Sequence, residues 1–123
     1  MKLFQSTVAA VLLGFLASVA SAHTALKTST PGDAATVNAA PSEISLVFNG
    51  PVRLVKLELM AGEKAMTTSF KPSSEAVAEF VVQTPGMQAG KFTVNWAAIG
   101  ADGHTVSNSF SFTVDPATAN SAP

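Results

Sequence analysis

Short runs in which apolar and polar residues alternate, each closed by turn-forming residues, constrain this chain more than any other feature. Ile44, Leu46 and Phe48 alternate with Glu43, Ser45 and Val47, and Val55, Leu57 and Leu59 with Lys56 and Glu58. Phe92, Val94 and Trp96 alternate with Lys91, Thr93 and Asn95, and Phe110, Phe112 and Val114 with Ser109, Ser111 and Thr113. A period of two puts one set of side chains on one face of an extended chain, which is the pattern of a half-buried strand and not of a helix. Residues 76–82 predict a shorter, less regular strand. Pro31-Gly32-Asp33, Ala40-Pro41-Ser42, Asn49-Gly50-Pro51, Ala61-Gly62-Glu63, Lys71-Pro72-Ser73, Pro85-Gly86 and Ala101-Asp102-Gly103 supply turn chemistry between the runs. No long amphipathic helical pattern interrupts them, so the spacing predicts an all-β sandwich.

Residues 1–22 read as a cleaved secretory signal peptide. Lys2 gives a positive start, Val8 to Ala20 an apolar run, and Ala20-Ser21-Ala22 a small-residue cleavage site. The apolar run is short for a bilayer that needs ~20 such residues and has no basic stop-transfer flank, so no stable membrane insertion is expected after processing. Removing 22 of 123 residues leaves 101, enough for one small domain with one core. Lys2 takes one of the seven basic residues with it, and six against eight acidic ones make no field for nucleic acid. The chain has no cysteine, which excludes disulfides, thiolate zinc sites and thiol catalysis, and leaves nitrogen, oxygen and thioether ligands for any metal. Residues 116–123 are Ala-rich with no aromatic residue and are expected to form a flexible C-terminal tail.

The two histidines fall in telling places. His23 becomes the first residue of the processed chain, so cleavage turns its amide into an α-amine beside an imidazole. An α-amine with a pKa of roughly 7.7 to 8.0 gives up its proton to a strong Lewis acid near neutral pH. His104 lies in Gly100-Ala101-Asp102-Gly103-His104, where Asp102 is two residues away and Gly103 permits conformations that other residues resist. His23, Asp102 and His104 together offer three nitrogens and one oxygen, a set that suits one tetragonal Cu(II) ion per chain. Zinc is the weaker fit, although two imidazoles and a carboxylate do not exclude it by ligand type. A catalytic triad is unsupported, since Ser107 and Asp102 have only proximity in sequence to recommend them, and Glu75 and Glu79 read as part of a solvated face.

Taken with "STPGDAATVNAAPSEISLVFNGPV" and "AGKFTVNWAAIGADGHTVSNSFSFTV", these features resemble the CopC family of periplasmic copper-resistance proteins over nearly the whole processed domain. The resemblance implies a seven-stranded, immunoglobulin-like Greek-key β-sandwich over residues 23–115, with Cu(II) held at one end by His23, Asp102 and His104. It further implies a periplasmic copper carrier or buffer, not an enzyme, that serves a CopD-like inner-membrane copper transporter; a monomer is expected. Some members carry a Cu(I) site in a Met-rich loop, but the matching stretch "LELMAGEKAMTTSF" has only Met60 and Met66 and no histidine. Met60 can equally end the Leu57–Leu59 strand, and Met66 or Met87 can fill gaps in the sandwich, the commoner use of methionine. Two rivals remain: a histidine-brace copper oxidative enzyme acting on polysaccharides, and an exported structural sandwich with incidental histidines. The brace keeps open copper positions for oxygen, which Asp102 here would occupy, and Trp96, the only Trp or Tyr, is expected to point inward.

Overall fold

The computed structural model describes residues 25–117. The expected signal peptide, His23 and residues 118–123 of the expected tail lie outside the described residues. Seven strands follow one another: β1 (Leu26–Thr30), β2 (Ala35–Val37), β3 (Glu43–Ala61), β4 (Lys64–Met66), β5 (Val77–Gln83), β6 (Gly90–Ile99) and β7 (Thr105–Val114). They build the expected seven-stranded β-sandwich, with β3 shared between its two sheets. The first half of β3 lies between β1 and β5, and its second half pairs with β4 and β6; β6 then pairs with β7, and β7 with β2.

Two features of β3 depart from the sequence reading. Asn49-Gly50-Pro51 was expected to be a turn, but the chain stays extended through it and changes partners instead. Pairing with β1 ends at Phe48 and pairing with β6 begins at Arg53. A proline has no N–H to give a ladder, so Pro51 suits the stretch where the strand passes from one sheet to the other. Further on, Leu54 pairs with Ala98 and Lys56 with Ala97, which leaves Val55 as an unpaired bulge residue. One extra residue inverts the alternation: Val52 and Leu54 are buried before the bulge, Leu57 and Leu59 after it, and Val55 is only half-buried.

The inward residues meet as predicted. Ile44, Leu46 and Phe48 from one sheet face Phe92, Val94, Trp96, Phe110, Phe112 and Val114 from the other in one core cluster. Phe48 and Trp96 join the sheets edge to face, with ring centroids 5.2 Å apart, and Phe92 stacks on Phe112 at 5.6 Å. Met87 is buried in this core and Met66 packs against it, the gap-filling use expected of them. The β6–β7 hairpin runs from Gly90↔Val114 to Ile99↔Thr105 without a register shift, so its turn is carried on an unbroken ladder.

Candidate metal centre

Five residues, 100 to 104, close that hairpin. Gly100 donates its N–H to the His104 carbonyl at 3.0 Å, and Gly103 donates to the Gly100 carbonyl at 3.0 Å. Gly103 has φ +83°, a left-handed conformation open to glycine and strained for residues with a Cβ, as its place in the sequence suggested. With the backbone turned this way, Asp102 reaches forward two residues, and its Oδ1 accepts the His104 N–H at 3.0 Å. Its other oxygen, Oδ2, lies 3.0 Å from His104 Nδ1. Asp102 and His104 are thus brought together, as their spacing predicted.

The pair is mutually polarised. The hydrogen bond from the His104 ring, followed by that from the His104 backbone N–H, holds the Asp102 carboxyl below its ordinary value. The same side-chain hydrogen bond, with the charge of the carboxylate, raises the His104 pKa above its ordinary value. An ionised carboxylate only accepts, so Nδ1 carries the hydrogen and neutral imidazole keeps a lone pair on Nε2. Both side chains meet solvent, His104 at 83% exposure and Asp102 at 47%. An ion can therefore reach them without opening the core.

Two protein donors do not complete a coordination shell. Among the described residues no group of three or more histidine, aspartate or glutamate side chains is placed to hold a metal. The third expected ligand, His23, lies outside the described residues. Ala25 is fixed to β3 by two hydrogen bonds with Asn49, and it lines a cleft of about 490 Å³ between β1 and β7. Trp96 and Val106 line the same cleft. Ala25 and Val106 each stand two residues along the chain from a predicted ligand, His23 and His104 respectively. The Asn49 contact escaped the sequence reading, which took Asn49 only as turn chemistry; its acceptor side chain just before Gly-Pro was the available signal.

The fold is a small all-β sandwich with a solvent-exposed carboxylate–imidazole turn at one end. The chain belongs to the CopC domain family, whose profile matches residues 26–115. Copper resistance protein C of Escherichia coli is 31% identical over 106 residues, which cover 77% of this chain and 83% of that protein. Among solved structures, CopC from Methylosinus trichosporium OB3b superposes with a TM-score of 0.65 at 24% identity, covering 76% of this chain and 94% of that one. PcoC, a methionine-rich copper resistance protein from Escherichia coli, superposes with a TM-score of 0.62 at 26% identity, covering 76% of this chain and 100% of that one.

Proposed function

We propose that residues 1–22 are removed on export and that the processed chain is a periplasmic copper-binding protein, not an enzyme. It holds one Cu(II) through the α-amine and imidazole of His23 with Asp102 and His104, and it carries or buffers copper in copper homeostasis or resistance. The Asp102–His104 pair carries this reading. Two metal–ligand bonds of ~2.0 Å at a right angle set neighbouring donors about 2.8 Å apart. Asp102 Oδ2 and His104 Nδ1 already stand at 3.0 Å, the spacing of neighbouring ligands, so Cu(II) meets both once Nδ1 has lost its hydrogen and the ring has turned that nitrogen toward the ion.

The topology supports the remaining two donors. Each residue spans at most ~3.6 Å, so two residues carry the His23 Cα no more than about 7 Å from that of Ala25, on the cleft that Val106 also lines. Family membership and the copper-resistance names of the relatives support copper as the cargo. A CopD-like inner-membrane transporter is the partner that the family resemblance suggests. The oxidative-enzyme alternative loses its one aromatic candidate for a flat sugar-binding face, because Trp96 is 3% exposed.

The test is a Cu(II) titration of protein beginning at His23 beside protein with one extra residue before it. Much weaker binding by the extended form is expected; equal affinity would remove the amine from the ligand set.

A further inference from the structure

Strand β5 lies at the edge of its sheet, paired with β3 on one side and with no strand on the other. At its end Ser69 occupies the free side, donating its N–H to the Gln83 carbonyl at 3.0 Å and accepting the Gln83 N–H on its hydroxyl at 2.8 Å. Gln83 thus turns its backbone away from β3, and in an extended strand Val81 and Glu79, two and four residues back, turn theirs the same way. Among the described residues no hydrogen bond reaches those outward groups. Val77, Glu79 and Val81 share the outer face, and the two valines, 41% and 57% exposed, are the large apolar side chains left in solvent among the described residues. The edge of β7 is closed differently. Asn108 Oδ1 accepts the Ser109 N–H at 2.8 Å and Asp33 Oδ1 the Ser111 N–H at 3.1 Å, so side chains take the donors that an added strand needs.

We propose that the β5 edge is a docking site for an extended segment of a partner protein, added antiparallel as a further strand, with a basic residue opposite Glu79 and apolar residues two positions to either side. Main-chain hydrogen bonds to Glu79 and Val81 supply the affinity, and the alternating side chains supply the specificity. Cross-strand neighbours on one face interact directly, so the valines select apolar side chains and the carboxylate between them selects Lys or Arg. Ser69 stops the added strand short of Gln83, which confines the contact to residues 77–81. A second copy of this chain is the poorer occupant. The register that sets Val77 against Val81 of the copy also sets Glu79 against Glu79, and like charges directly opposite destabilise a pair.

The experiment adds a capped nine-residue peptide to the isotopically labelled processed protein, with Val, Lys and Val at the third, fifth and seventh peptide positions and Thr elsewhere. Amide shifts and hydrogen exchange are read by nuclear magnetic resonance. Shifts concentrated at residues 77–81 are expected, with slower exchange of the Glu79 and Val81 N–H groups. Replacing the peptide's central Lys by Glu is expected to weaken binding roughly two- to thirtyfold, and Glu79→Lys, a change at an exposed position, to reverse that preference. No shift at β5 with millimolar peptide, or shifts centred on another strand, would overturn the proposal. Equal binding of the Lys and Glu peptides would overturn the charge selection, and with it the stated partner. Sedimentation of the protein alone is expected to show a monomer; a dimer abolished by Val81→Lys would make a second copy the occupant and overturn the proposal.

Discussion

Gly103 is the residue on which the geometry of the Asp102–His104 turn depends, and replacing it gives a graded test. Its φ of +83° belongs to the left-handed region, and no atom outside its chain neighbours lies within 4 Å of where a Cβ would be. The cost of Gly103→Ala is therefore conformational, with no packing clash added, and amounts to about 1–2 kcal/mol. For a domain of this size that predicts a fall in melting temperature of roughly 4–15 °C. Gly103→Asn should cost less, because asparagine tolerates this conformation, and Gly103→Val more, because a β-branched residue resists it. The chain can escape the strain only by rotating residue 103 toward negative φ, which pulls the Asp102 carboxylate away from the His104 N–H and ring. Thermal melts followed by circular dichroism, with Cu(II) titrations of the same variants, should then give one order for stability and affinity: Gly, Asn, Ala, Val. Equal melting temperatures for Gly103 and Gly103→Ala would refute the claim that the turn requires a left-handed residue.

Further expectations follow from the same pair. Asp102→Asn keeps an oxygen to accept the His104 N–H but removes the anionic donor, so Cu(II) affinity should drop more than the roughly 10–100-fold typical of outer-shell changes, while the exposed turn stays folded. Nuclear magnetic resonance titration of that variant should also find the His104 pKa lower than in the parent. In the metal-free protein the signs are opposite for the two groups. The raised His104 pKa contributes stability in full below its ordinary 6.5 and loses it as pH rises through the folded value. The lowered Asp102 pKa contributes stability above its ordinary 3.8 and loses it as pH falls through the folded value, so the joint contribution is complete between these two figures. Copper competes with the proton that Asp102 helps His104 to hold, so Cu(II) binding should begin to weaken above pH 6.5 as the solution is acidified, and at lower pH in Asp102→Asn. With nitrogen and oxygen donors only, adding a reductant should release the metal, as an equilibrium dialysis of the reduced ion would register.

The parts of this fold legible in the sequence are those governed by local pattern. Phe92, Val94 and Trp96, and Phe110, Phe112 and Val114, point inward as their alternation required, because β6 and β7 pair without a bulge. The Asp102–His104 contact was legible for a similar reason: an Asp-Gly-His turn settles its hydrogen bonds within three residues. Val55 misled the reading because a bulge is decided by the partner strand, and nothing near it in sequence marks the change of phase. Asn49-Gly50-Pro51 has the composition of a turn, yet β1, β5 and β6 lie where an extended strand can serve two sheets. The strands β1, β2 and β4 carry too few apolar residues to alternate; their places come from the neighbours they pair with. The clamp on Ala25 by Asn49, across 24 residues of sequence, belongs to the same tertiary class.

In the proposed site, cleavage before His23 makes half of the copper-binding set and the turn at Asp102 and His104 supplies the other half. The most direct measurement is the electron paramagnetic resonance spectrum of Cu(II) bound to the correctly processed protein, read for its nitrogen couplings. Three nitrogens are expected, from the His23 amine, the His23 ring and the His104 ring, with loss of the amine nitrogen when one residue is added before His23. A nitrogen pattern identical in the native and extended proteins would contradict it.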